Sequence, residues 1–500
     1  MNNAFSTVRG IASNSRGSVR SLISNEIMND RFKRKVAAAA ALCVVSCNSL
    51  AQTAPRTDAE QRRFHDVYKE LVNINTSNSV GDNTAAVTAM KQYLVGDGFT
   101  EAEVQIFEPF PRKGNLVVRL EGDGTQRPML LLAHVDVVEA KREDWKTDPF
   151  ILKEDDGYFT ARGSLDNKAM AAAFVSIIGQ LKREGFQSRR DLILALTADE
   201  EMSAVPSNGA WWLLRNHPEL ITADFGINEG GSAQLRRGKP TIQRVQIAEK
   251  MNTSYKLEIT DVGGHSSLPT DGNPIYPLAA ALGRIGEYRF PVKLAEVTRA
   301  YFEKSARFET DQLKEDMLAV ASGDPSTAAL DRLSSVPLYN AILRTTCVAT
   351  RLNAGHANNA LPQSASATVN CRILPQDDPD AVDATLRQLL GNDRIQMTNL
   401  IRPMPSPPSP LRPDIMNAVN ALTEKMWPGV TVVPFMSTGG TDSRFMRNAG
   451  IPMYGVSGIF YEPSDARMHG LDERVPQKSL YEGREFLYQL IKQLAASRKE

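Results

Sequence analysis

Residues 128–138, PMLLLAHVDVV, set a short apolar run directly before His134-Val135-Asp136. A run of about six residues suits a buried strand and is too short for a typical helix. In an open α/β sheet, sites form in the crevice at the carboxyl ends of the strands. A histidine there can bind a metal, and an aspartate two residues on can hold its ring from behind. A single histidine after a strand is more often structural. The weight comes from recurrence of the pattern.

Two further strand-like runs end the same way. Asp191 to Ala198 runs into Asp199-Glu200-Glu201, and Asp224 to Asn228 runs into Glu229-Gly230-Gly231. Three adjacent carboxylates repel one another, and a nearby cation is the natural compensation at a strand end. The glycines let the backbone turn sharply and approach a site closely. Between these strands, Asp166 stands just before an amphipathic helix, Lys168 to Glu184. Its ordinary reading is a helix cap; its functional reading is a carboxylate that bridges two cations. So three successive βα-like units each bring an acid or a histidine to one sheet edge.

With 42% hydrophobic and 23% charged residues over 500 positions, the chain is ordinary globular protein of two or three domains. Lys+Arg and Asp+Glu are both 58, and no basic stripe with interleaved aromatics argues for nucleic acid. The N-terminus reads as a signal peptide over residues 1–51: a basic stretch at 31–35, an apolar run at 36–45 too short to span a membrane, and small residues at Ser49-Leu50-Ala51. Val44-Val45-Ser46-Cys47 also resembles a lipoprotein box, which would leave Cys47 lipidated. The mature chain is therefore expected to be secreted or periplasmic, or lipid-anchored through Cys47, with no transmembrane segment. Cys347 and Cys371 flank a loop in strand-like stretches. Pairing is open to them in such a compartment, and two buried free thiols are the plainer expectation.

The fold class expected is α/β. A catalytic domain with a central, mostly parallel sheet takes residues 56–247 and 401–500. Alternating strand patterns mixed with helices over 248–400 read as an inserted α+β domain, carrying GGHSS at 263–267 and NALP at 359–362. The proline-dense stretch 402–413 reads as a linker and hinge back to the first domain. His65, His217 and His356 read as structural or surface residues.

His134, Asp166, Glu201, Glu229 and His469 are the candidate ligands. Two histidines and three carboxylates suit zinc, with cobalt or manganese also acceptable. One ion would not need five ligands and an open position; two ions sharing Asp166 would use them all. A water shared by two cations ionises near neutral pH, and Glu200 can take its proton and hand it to a leaving amine. The reaction this implies is hydrolysis of an amide.

The ordered motifs AHVDVV, RGSLDNK, ADEE, NEGG, GGHSS, NALP, GGTDSR and MHG resemble the two-zinc metallopeptidases that include glutamate carboxypeptidase, carboxypeptidase S, acetylornithine deacetylase and the bacterial Xaa-His dipeptidases, in their secreted branch. The resemblance covers essentially all of the mature chain. It implies that His134, Asp166 and Glu229 hold one Zn2+ and that Asp166, Glu201 and His469 hold the other. It implies that Asp136 orients His134, that Glu200 is the general base and that His265 reaches from the lid, often across a homodimer, to the oxyanion. Asn359 and Arg444 would contact substrate, Arg444 through a carboxylate. Asn167 and Ala161 depart from the family pattern without removing a ligand. The helical stretch at about 295–335 resembles the carboxypeptidase S and N-acyl-amino-acid hydrolase branch. The substrate implied is a peptide or an N-acyl amino acid, so carboxypeptidase, dipeptidase and deacylase all stay open.

Two other readings compete. A lidless two-zinc aminopeptidase uses similar ligands, but Glu229 and His469 lie 240 residues apart (469 − 229), room for a whole inserted domain. A catalytically silent binding protein on the same fold would have lost a ligand or Glu200.

Overall fold

The computed structural model describes residues 54–202 and 206–496. The expected signal segment, with Cys47, lies outside the described residues. The chain divides after Ala59 into two units, and the sheets lie in the second, Glu60–Glu500. No helix among the described residues is long and apolar enough to cross a membrane.

Ten strands among the described residues form the main sheet. Its centre is parallel: Met129–His134 lies between Leu192–Thr197 and Phe225–Asn228, and Met453–Gly455 continues the sheet parallel to Phe225–Asn228. These strands are near-continuous Leu, Ile, Val, Ala and Phe because helices cover both faces of a parallel sheet. All residues of Met129–His134 and Leu192–Thr197 are buried. The flanks are antiparallel, with Asn115–Leu120 on one side and Lys239–Glu249 on the other. The helix Lys168–Arg183 packs on the central strands and is buried from Lys168 to Leu181.

A second, antiparallel sheet has the order Thr346–Ala354, Ser364–Ile373, Met251–Thr260, Gln396–Ile401. Helices Ile275–Glu287 and Pro379–Leu390 close one face of it and share a separate apolar core with it, including Tyr255, Leu257, Leu278, Val369 and Leu386. The stretch expected as one inserted unit, 248–400, divides between two cores. Helices Glu296–Ser305, Asp311–Ser322, Thr327–Ser334 and Pro337–Leu343 bury Tyr301, Phe302, Met317 and Leu333 in the main core. Tyr301 packs 5.8 Å from Phe435 of the main-sheet strand Thr431–Ser437.

Two local expectations are corrected. Cys347 and Cys371 are disulfide-bonded, not free thiols. They are direct cross-strand partners in an antiparallel pair, a relation set by strand register. The proline-dense stretch is packed, not a free hinge. Ser409 donates its N–H to Ile247 O at 2.7 Å and its hydroxyl to Met453 O at 2.7 Å, and Ser406 and Ser409 are both buried.

Candidate active site

Three neighbouring parallel strands deliver their carboxyl ends to one edge. His134 ends the first, Glu200 and Glu201 follow the second, and Glu229 follows the third. Gly230 and Gly231 allow the third turn: Gly230 has φ 99°, and a Cβ on Gly231 would lie 2.0 Å from Gly455 O. Asp166 arrives from the turn before the buried helix. It is not that helix's cap, since Asn167 holds the cap position. His469 arrives from a turn before the strand Arg474–Pro476.

These five side chains meet in two groups that share Asp166: His134, Asp166 and Glu229, and Asp166, Glu201 and His469. His134 Nε2 lies 3.4 Å from Asp166 Oδ1 and 3.5 Å from Glu229 Oε1. His469 Nε2 lies 3.2 Å from Asp166 Oδ2 and 3.0 Å from Glu201 Oε1.

The donor set fits a divalent cation. His134 Nδ1 sits 3.0 Å from Asp136 O, so Nδ1 carries the proton and Nε2 faces the two carboxylates. Nε2 is buried and has no hydrogen-bond partner. Ligand atoms around tetrahedral zinc, at ~2.0–2.2 Å from the ion, lie about 3.3–3.6 Å apart. That is the spacing around His134.

The electrostatics agree. Burial opposes a charge on His134, yet Glu229, Asp136 and Asp166 together raise its pKa well above the ordinary value. Hydrogen bonds to Asp166 and Glu201 lift His469 to about 10. The proton drawn to each ring compensates the same cluster of negative charge that a cation would. Glu201 and Glu229 are pushed up chiefly by burial. Glu200, 9% exposed, is raised by burial and then by the charge of Glu229. A carboxylate tuned upward in this way is a better proton acceptor near neutral pH.

Asp136, expected to orient His134, lies against its ring. Its carbonyl, rather than its carboxylate, is the group nearest His134 Nδ1; the carboxylate is 3.5 Å away. The carboxylate accepts the N–H groups of Glu200 at 3.1 Å and Glu201 at 3.0 Å. One residue thus orients the histidine and pins the acidic turn.

His265 and Asn359 lie together, and neither belongs to the two groups of side chains. Ser266 N–H donates to Asn359 O at 3.1 Å, and His265 Nδ1 is bonded within its own loop by Ser267. Both residues are exposed. Arg444 lines a separate cavity with Glu249, Ile401, Arg402 and Met404, and its Nη2 is buried without a partner. His65 pairs with Glu154 at 3.0 Å and His217 packs on Phe107, as structural residues do; His356 is exposed.

Residues 130–493 match the family described as peptidase family M20/M25/M40. The chain belongs to that family. The M20 chain is 30% identical over 390 residues to a probable carboxypeptidase S-like protein of Dictyostelium discoideum, covering 76% of this chain and 74% of that one. It is 27% identical over 434 residues to the human N-fatty-acyl-amino acid synthase/hydrolase PM20D1, covering 83% and 84%. In fold it is similar to an M20 family metallo-carboxypeptidase of Sulfolobus solfataricus, with a TM-score of 0.66, 17% identity, and coverage of 86% and 99%.

Several residues of this M20 peptidase were not singled out from sequence. Glu473 is buried and holds the turn that presents Asp166. Its Oε1 accepts the N–H groups of Leu165 (2.9 Å) and Asp166 (3.0 Å). Its Oε2 accepts from Gly163 N–H (3.1 Å) and Arg162 Nη1 (2.7 Å). Lys113 pairs with Asp199 at 2.6 Å beneath the acidic turn. Asp442, pushed up to about 6 by burial, accepts from Asn208 and Thr197. Arg372 is held below the ordinary guanidinium range by burial and by the nearby charge of Arg444.

Proposed function

We propose that the protein is a secreted, dinuclear zinc exopeptidase or amidohydrolase that cleaves an amide next to a residue with a free carboxylate. The observation that carries this is the pair of three-residue groups sharing Asp166, with Glu200 buried beside them. His134, Asp166 and Glu229 would hold one Zn2+, and Asp166, Glu201 and His469 the other. Bound there, the cations would acidify water and polarise the scissile carbonyl.

The chain's own groups do the rest. Asp136 and Glu473 hold the ligands in place through backbone hydrogen bonds. Glu200 removes a proton from the attacking water as its oxygen bonds to the carbonyl carbon. It delivers that proton to the amide nitrogen as the C–N bond breaks. Arg444, with Arg372 near it, offers a planar fork to the free carboxylate. His265 and Asn359 would complete the site by lid movement or from a second subunit. A homodimer through the antiparallel sheet is supported by its edge strand Thr346–Ala354, on which Val348 and Leu352 are 57% and 67% exposed. We assign residues 1–51 to a signal peptide; the Cys347–Cys371 disulfide supports export, since such bonds persist in oxidising compartments.

N-acyl-amino-acid deacylation is the second reading. It is favoured by a cavity of about 390 Å³ beside Asp166 and Glu229 with Leu165, Met170, Phe435 and Ile459 in its wall, and by the similarity to PM20D1. The test uses zinc-loaded protein and matched dipeptides, N-acyl amino acids and longer peptides with free or amidated C-termini, followed by mass spectrometry. Cleavage confined to free-carboxylate members is the expected result. Equal cleavage of amidated peptides that need a free N-terminus would identify an aminopeptidase and overturn the proposal.

A further inference from the structure

The cavity beside Asp166 and Glu229 combines apolar groups such as Leu338, Phe435 and Ile459 with hydroxyls and amides, and it also contains a cation. Arg244, on the strand Lys239–Glu249, is part of its lining together with Leu338 and Phe435. The guanidinium stacks 4.7 Å from the Phe435 ring centroid. Its polar neighbours are neutral. Nη1 donates to Ser232 Oγ at 3.3 Å, and the Gln234 amide oxygen, turned inward, accepts from Nη1 and Nη2 at 2.9 Å each. Nε is buried without a partner. No carboxylate among the described residues pairs with this arginine. Other arginines close to the same sheet do have such partners: Arg447 meets Glu249 at 2.9 Å, and Arg412 meets Asp224 at 3.1 Å. A partly desolvated guanidinium without an anion is costly, and its donor fork matches a carboxylate.

A second cavity also carries a cation. Arg444 lines the other cavity, with Glu249, Ile401 and Arg402. With the substrate carboxylate on Arg444, as proposed above, the cavity of Arg244 is the space left for the acyl half, because Asp166 and Glu229 line that same cavity. We propose that Arg244 is a specificity residue that reads an anionic group at the far end of the acyl arm. The favoured substrates are then amino acids acylated by a chain with an apolar stem and a terminal carboxylate. This rests on the amidohydrolase reading above and narrows it.

The test uses full-length zinc-loaded protein and one panel of amino acids N-acylated with hexanoyl or adipoyl groups. The two chains have equal length and differ in the terminal carboxylate. The adipoyl series should have kcat/KM higher by roughly tenfold or more, the usual worth of a hydrogen bond to a charged group. Arg244→Met should bring the ratio to about one, and Arg244→Lys should keep part of it. Calorimetry with adipate and hexanoate supplies a second readout: wild type should bind adipate more tightly, and Arg244→Met should lose that difference. Equal or hexanoyl-favouring kinetics, or a preference that survives Arg244→Met, would overturn the assignment. If no acyl amino acid is cleaved, the amidohydrolase reading fails, and the acid-binding comparison decides the Arg244 claim alone: equal binding overturns it. If Arg244→Met does not fold, the wild-type comparison and Arg244→Lys carry the decision.

Discussion

Glu200 and Glu201 are neighbours whose carboxylates face different tasks, so substitution at the first should separate chemistry from assembly. Glu200→Gln keeps the shape and removes the basicity. It should lower kcat by about 10²- to 10⁴-fold while zinc content and thermal midpoint stay close to wild type. Loss of zinc in that variant would mean that Glu200 is a ligand instead. Glu473→Gln places an amide N–H against backbone N–H groups that now find a carboxylate oxygen, so the Asp166 turn should loosen. Cation affinity, measured by competition with a chelator, should fall about 10- to 100-fold; unchanged affinity would remove Glu473 from the positioning role. Four of the five residues that meet at the cluster were legible because each follows an apolar run or stands just before a helix; His469, in a turn, was legible through the MHG motif. Glu473 was not, since its partners at 163–166 are some 307 to 310 residues away in the chain. Asp136 was legible as a residue near His134, but which of its oxygens faces the ring depends on side-chain packing.

At the scale of elements, strands with uninterrupted apolar runs were readable because a parallel strand is covered on both faces. The disulfide was harder, because it depends on which residue of Thr346–Ala354 faces which residue of Ser364–Ile373. A one-residue slip would have sent Cys371 to the other face of the sheet. The bond closes a loop with a sequence separation of 24. Replacing both cysteines with serine should cost about 3 kcal/mol of stability on the loop-entropy model, read by denaturant unfolding. An unchanged midpoint would show that the crosslink contributes nothing. The proline-rich stretch 402–413 reads as a hinge by composition, yet buried Ser406 and Ser409 tie it to the main sheet, a feature that composition does not encode.

At the scale of the whole molecule, the change from long apolar strands to alternating ones located the second sheet. It did not reveal that the helices from Glu296 to Leu343 pack on the main core, because an amphipathic helix does not say which apolar surface it will meet. The proposed dimer makes the exposed edge strand the determining surface. Val348→Lys with Leu352→Lys should convert a sedimenting dimer to a monomer and lower activity if His265 acts across the interface. A fully active wild-type monomer would end that part of the account.

The central claim is that His134, Asp166, Glu201, Glu229 and His469 form one centre for two cations bridged by Asp166. The most direct measurement is metal content after equilibration with zinc and removal of excess, by elemental analysis of wild type and Asp166→Ala. The account predicts two zinc ions per wild-type chain and a loss at both positions in the variant, with the fold retained by circular dichroism. A wild-type chain that holds one zinc or none, or a variant that still holds two, would contradict it.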